Sequence, residues 1–101
     1  MNYIRFEWDE AKNLANQRKH GVDFEQASQV FLDPLHFSVP DRVVHGEERW
    51  QTFGVVRHSA ILIVIHTIRE YSGEQGVEAV RIISAREATK RERLFYEEEN
   101  G

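Results

Sequence analysis

Two apolar runs in the second half of the chain constrain its fold more than any other feature. Ala60 to Arg69 is apolar at nearly every position, which is the composition of a central strand covered on both faces. After Ser72-Gly73-Glu74-Gln75-Gly76, a loop by its composition, Val77 to Ala85 returns as a further strand of the same meander. Both runs carry cations where a sheet core has no room for unpaired charge. The first ends in His66-Thr67-Ile68-Arg69, and the second threads Arg81 and Arg86 through Val80-Arg81-Ile82-Ile83-Ser84-Ala85-Arg86. Cationic side chains in or beside a core are paired or put to use.

At 101 residues the chain suffices for one small domain, residues 1–101, and is too short for a second. Six Phe, three Tyr and two Trp supply enough burial to oppose the 30% of charged residues, so the chain is expected to fold. The absence of cysteine excludes a disulfide framework and a thiolate metal site, and fits the cytoplasm. Its longest apolar run, Ala60 to Ile65, is far too short for a membrane, and no leader pattern is visible, so a soluble protein is expected. The net charge of -4 predicts weak long-range attraction to a polyanion. Global charge is nevertheless the wrong scale, because acids concentrate at Glu7 to Glu10, Glu47-Glu48 and Glu97-Glu98-Glu99 while cations gather between Arg69 and Arg93. A locally positive face is compatible with an acidic protein.

Tyr3 to Trp8 alternates as a first strand, with Ile4, Phe6 and Trp8 to one side. Asp9 offers an N-cap and Gly21 a C′ position for a first helix over about 9–20. Asp23 and Gln26 open a second helix, which Asp33-Pro34 ends. Leu35 to Gly46 holds both prolines and reads as a surface connection with a short edge strand. Glu48 to Val56 is a strand antiparallel to Ala60–Arg69. Ser84 and Glu87 fit a capping box for a last helix reaching about Glu98. This order predicts an α+β fold of strand-helix-helix, an antiparallel sheet and a C-terminal helix, with one sheet face covered and the other open.

If the loop closes between Tyr71 and Val77, His66 comes level with Arg81 or Ile82, where opposing Cβ atoms are roughly 4.5 to 5.5 Å apart. Arg69, Arg81, Arg86 and His66 would then converge. A metal-independent ribonuclease needs such a group: guanidinium groups for the scissile phosphate, plus a base for the 2′-hydroxyl and an acid for the leaving oxygen. The same residues also fit a hydrogen-bonded core histidine with arginines paired to Glu70, Glu78, Glu87 or Glu92.

Arg18-Lys19-His20, ending the first helix, complements the helix dipole for roughly 0.3 to 1 kcal/mol, or forms a phosphate clamp if the helix end points over the sheet. Arg49 beside Trp50 offers a cation and a stacking platform, worth about 1 to 3 kcal/mol per stacked base, although strand parity puts the two on opposite faces. Arg86, Lys90 and Arg93 form a basic stripe on the expected last helix, with Glu87 and Arg91 as an intrahelical pair. The stripe is either solvated or extends a nucleic-acid track. The five histidines lack metal-ligand spacing, and no glycine-rich phosphate loop or catalytic serine motif is present.

Taken together, Phe6-Glu7-Trp8-Asp9 with Lys12 and Asn16, Lys19-His20-Gly21-Val22-x-Phe24 with Ala27, Glu48-Arg49, His66-Thr67-x-Arg69, and Arg81-Ile82-Ile83-Ser84-Ala85-Arg86 with Ala88, Glu92 and Tyr96 resemble the BrnT family of bacterial toxins over nearly the whole chain. The resemblance implies a RelE-like ribonuclease fold and the toxin half of a type II toxin-antitoxin pair that stops translation when free. It implies a BrnA-like ribbon-helix-helix antitoxin as partner in a two-to-two complex, with operator DNA bound only through the antitoxin. Matching positions put Lys19, His20, Arg49, His66, Arg69, Arg81 and Arg86 on the expected functional surface. On the nuclease reading Arg69, Arg81 and Arg86 hold the phosphate, His66 or His20 transfers protons to complete the catalytic group, and Lys19, Arg49 and Lys90 guide RNA; no metal or cofactor is expected. The competing expectation is a non-catalytic module whose cationic sheet binds an acidic partner segment and acts as co-repressor of its own operon.

Overall fold

The computed structural model describes residues 3–57, 60–70 and 76–101. Five strands, β1 (Tyr3–Glu7), β2 (Phe37–Val44), β3 (Glu47–Val56), β4 (Ala60–Glu70) and β5 (Val77–Glu87), form one mixed sheet in the order β1-β5-β4-β3-β2. β1 runs parallel to β5 and every other pair is antiparallel, so the apolar β4 is the central strand. Three helices, α1 (Glu10–His20), α2 (Phe24–Ser28) and α3 (Lys90–Asn100), and a 3-10 turn at Gln29–Leu32 complete an α+β architecture.

Local chemistry sets the helix ends. The Asp9 carboxylate accepts from the Ala11 and Lys12 amides, and Gly21, at φ 70°, turns the chain out of α1 in the left-handed region that favours glycine. Asp23 caps α2 through the Gln26 amide. The last helix starts later than Ser84-x-x-Glu87 predicts. Ala85, Arg86 and Glu87 remain paired with Val64, Ile63 and Leu62 of β4, so the ladder prevails over that local cap. Thr89 and Glu92 form the capping box instead. As a result Arg86 and Glu87 lie on β5, and neither the Arg86-Lys90-Arg93 helical stripe nor the Glu87–Arg91 pair exists.

The stretch read mainly as a connection is an eight-residue strand, β2. It tolerates Pro40 because it is the outer strand, and its pairing with β3 shifts register between Pro40 and Val43. Most of the expected 72–76 loop lies outside the described residues; Gly76 begins the descent into β5 at φ 76°.

The sheet packs on both faces. Beneath α1, α2 and the 3-10 turn, Phe24, Val30, Leu62, Val64 and Ile82 form the larger core, flanked by Phe6, Trp8 and Phe31. On the opposite face, Phe53, Ile61 and Ile63 pack with Tyr96 of α3 and Ala88. The second face is therefore half covered, whereas the sequence suggested an open one. Gly54 lets the 3-10 turn reach β3: a Cβ there would stand 2.6 Å from Val30 Cγ1 and 2.8 Å from the Val30 carbonyl oxygen. Asp33 joins three elements, accepting from the Val55 amide at 2.8 Å, the Leu35 amide at 2.9 Å and the Tyr96 hydroxyl.

Candidate active site

Arg81 and Arg86 are five positions apart, and in a regular strand that spacing puts two side chains on opposite faces. A bulge in β5 changes the outcome. Ile65 pairs with Ser84 and His66 with Ile82, so Ile83 is an extra residue with no opposite number on β4. Beyond it the alternation shifts by one. Arg81 stands opposite Thr67, and Arg86 stands opposite Ile63, a member of the α3-side core, so both arginines belong to the α3-bearing face. Arg69, two positions beyond Thr67 on β4, shares that face, as does Arg49, which alternates with Trp50 on β3. Where α3 stops, the sheet presents Arg49, Arg69 and Arg81 around Thr67, with Arg86 further along the same face opposite Ile63.

Their electrostatic states differ. The Arg86 guanidinium is clamped by Glu92 in two parallel contacts of 2.7 and 2.8 Å. That contact is the main cause holding the Glu92 carboxyl down to about 2, against a smaller opposing effect of burial. Of the four acids that could have neutralised the arginines, Glu92 alone does so among the described residues. Arg69 instead reaches across the sheet to Glu7 at 2.8 Å, a carboxylate opposite Arg81 on the neighbouring strand. Arg81 is exposed and makes no ion pair among the described residues. Arg49 holds its Nε buried with no hydrogen-bond partner among them, a donor without an acceptor.

His66 does not join this group. It is opposite Ile82, wholly buried on the helix-covered face, with its ring edge-on to Phe31 at a centroid distance of 5.1 Å. Nδ1–H donates to the Thr67 carbonyl at 3.3 Å, leaving Nε2 to accept the Thr52 hydroxyl at 2.5 Å, and Ser38 donates to Thr52 at 2.6 Å. Burial pushes its pKa down to about 4, so the ring is neutral near pH 7. The expected convergence of His66 with the arginines is therefore not what the fold delivers. Simple alternation already separates His66 from Arg69, three positions away on the same strand.

Lys19 and His20 sit elsewhere again, lining with Lys12, Asn16, Ile83 and Ser84 a cleft of about 200 Å³ between α1 and β5. Lys90 opens α3 and is exposed, just past the end of β5. Trp50 pairs with His66 and so lies on the face opposite Arg49. No three His, Asp or Glu side chains come together as metal ligands could among the described residues.

Asn16, one of the motif residues that carry the family resemblance, proves central to this placement. Past Glu7 the β5 edge has no partner strand, and there Asn16 Nδ2 donates to the Ala85 carbonyl at 2.8 Å while its Oδ1 accepts the Ala85 amide at 3.1 Å. The same Nδ2 donates to the Val22 carbonyl at 2.8 Å. One side-chain amide thus substitutes for a strand and fixes α1 beside the bulge. Glu7 is the other residue that the site reasoning missed. Its signal is parity, since Tyr3, Arg5 and Glu7 alternate with Ile4 and Phe6, and Phe6 packs on the helix-side core.

Residues 8–92 match the family described as the ribonuclease toxin, BrnT, of type II toxin-antitoxin systems. The chain belongs to the BrnT family. Among solved structures, this BrnT-family protein is similar to the 1.1 Å crystal structure of the Brucella abortus ribonuclease toxin BrnT, with a TM-score of 0.55 and 26% identity over 89% of this chain and 99% of that one. Comparison with curated proteins finds no match. Membership in the BrnT family makes the chain one of the ribonuclease toxins of type II toxin-antitoxin systems, paired with an antitoxin, and no described helix is long and apolar enough to cross a membrane.

Proposed function

We propose that the chain, as a single domain, is a metal-independent endoribonuclease that cleaves RNA in the cytoplasm and so inhibits translation until a BrnA-like ribbon-helix-helix antitoxin, in a two-to-two complex, masks it. The observation that carries this reading is that Arg49 and Arg69 share one solvent-reachable sheet face with Arg81 and Arg86, the last two brought to the same side by the β5 bulge. In it Arg81, exposed and without an ion pair among the described residues, binds the scissile phosphate and stabilises the charge that builds on it as the 2′-oxygen attacks. Arg69 and Arg86 flank that phosphate, and Arg49, on the same face of β3, adds its positive charge beside them. Lys19 and His20, around the open edge of β5, and Lys90, at the start of α3, guide the strand on either side. His66, buried on the far face, supports the sheet from beneath rather than moving a proton in the reaction.

The test is RNA cleavage in excess chelator by protein freed from its antitoxin. Cleavage that survives chelation and falls by about 10²-fold or more in Arg81→Ala, with antitoxin binding retained, supports the proposal. Intact RNA with the purified protein, both alone and with ribosomes, overturns it. Loss of the antitoxin complex in Arg81→Ala would favour the co-repressor role instead.

A further inference from the structure

Transesterification of RNA needs a base for the 2′-hydroxyl; His66 is buried on the opposite face, and His20 lines the cleft at the open edge of β5, where its neighbours are Lys19, Ile83 and Ser84 rather than an arginine. The carboxylates on the arginine face divide sharply. Glu47, which shares the parity of Arg49, is exposed at the start of β3, two strands from Arg81. Glu92 has both oxygens occupied by Arg86, and its Oε1 also accepts the Thr89 amide at 2.9 Å. Asp41 accepts from Gln51 at 2.7 Å and lies on the outer strand, across three strands from Arg81. Glu7 stands opposite Arg81 on the adjacent strand, is partly exposed, and among the described residues engages Arg69 through Oε1 alone. Its second oxygen is thus available beside the cation best placed to hold the reacting phosphate. The charged groups that share its surroundings are Arg69 of β4, Arg81 of β5 and Arg5 of its own strand.

We infer, building on the nuclease reading above, that Glu7 is the proton acceptor of the cleavage reaction. Oε2 takes the proton of the ribose 2′-hydroxyl while the 2′-oxygen forms its bond to phosphorus. The bond from phosphorus to the 5′-oxygen breaks, and that oxygen takes a proton from solvent water. The products are a 2′,3′-cyclic phosphate and a 5′-hydroxyl, and the neutral Glu7 acid returns its proton to solvent. Arg69 holds Oε1 so that the free oxygen faces the phosphate bound by Arg81.

The experiment compares the full-length protein, freed of antitoxin, with Glu7→Gln, which keeps an oxygen for Arg69 but loses the basic one. Cleavage of a labelled RNA is followed as a function of pH, and binding is measured with a fully 2′-O-methylated oligonucleotide that cannot react. The expected result is a fall in kcat of about 10²- to 10⁴-fold, affinity held within about threefold, and loss of the acidic limb that the unmodified protein shows. Added formate should restore part of the activity of Glu7→Ala. If the unmodified protein cleaves RNA while Glu7→Gln keeps more than about a tenth of the rate with the limb intact, the assignment to Glu7 is overturned and the nuclease reading stands. A loss of affinity as large as the loss of rate overturns it too, since Glu7 would then only position Arg69. Should Glu7→Gln not fold, the unmodified protein still decides, because a profile without an acidic limb rules out a carboxylate base. Intact RNA with the unmodified protein overturns both readings together.

Discussion

At the scale of single residues, the protein keeps one histidine neutral by burial and one glutamate ionised by pairing, and both make stability depend on pH. His66 titrates near 4 when folded and 6.5 when unfolded, so its contribution is complete above pH 6.5 and is lost as pH falls towards 4. At about 1.4 kcal/mol per pKa unit the loss is on the order of 3 kcal/mol. Urea denaturation across that window should show the decline in the unmodified protein and a flatter profile in His66→Gln. Glu92, about 2 when folded against 4.5 unfolded, acts in the same direction at lower pH, its stabilisation being present above 4.5 and lost as pH approaches 2. Asp33 is also lowered: burial alone would raise it, but the hydrogen bonds from Tyr96, Val55 and Leu35 outweigh that effect. The same contact, after burial itself, pushes the Tyr96 phenol up to about 12.

At the scale of elements, two close approaches are open to substitution. Gly54→Ala forces a methyl against both the side chain and the backbone of Val30, and should lower stability by about 1 to 3 kcal/mol, read as a shift in urea midpoint with unchanged slope. Asn16→Ala leaves the Ala85 amide and carbonyl unpaired where the sheet edge is buried, at about 1 to 3 kcal/mol for each unsatisfied group. Asn16→Asp should be no better, because it sets a carboxylate oxygen against the Val22 and Ala85 carbonyls; thermal melting of the two variants checks this. Most element boundaries were legible in the sequence because each carried its own chemistry: Asp9, Gly21 and Asp23 act as their residue types predict. The last helix was not, because Ser84-x-x-Glu87 and Thr89-x-x-Glu92 are equivalent as local signals and only pairing with β4 separates them. The bulge at Ile83 was equally hidden. It depends on a register with a distant strand, and it alone puts Arg81 and Arg86 on one face, while the opposite placement of His66 and Arg69 was readable from alternation.

At the scale of the whole molecule, a net charge of -4 coexists with four arginines on one half-face, so any attraction for RNA is short in range and sensitive to salt. The affinity for an unreactive single-stranded oligonucleotide should fall linearly on a log-log plot against salt, and Arg81→Ala should reduce the slope by about 0.7, the value of one phosphate contact to a single strand. The α+β class and the family were legible because the motifs span almost the entire chain. How far α3 shields the second face was not, since it depends on Tyr96 reaching Asp33 across the sheet. Glu92 serves two masters there, closing the first turn of α3 through Thr89 and holding Arg86. A phosphate that draws Arg86 away removes the counter-charge from that same carboxylate. Amide exchange at the first turn of the C-terminal helix should therefore quicken when an oligonucleotide is bound.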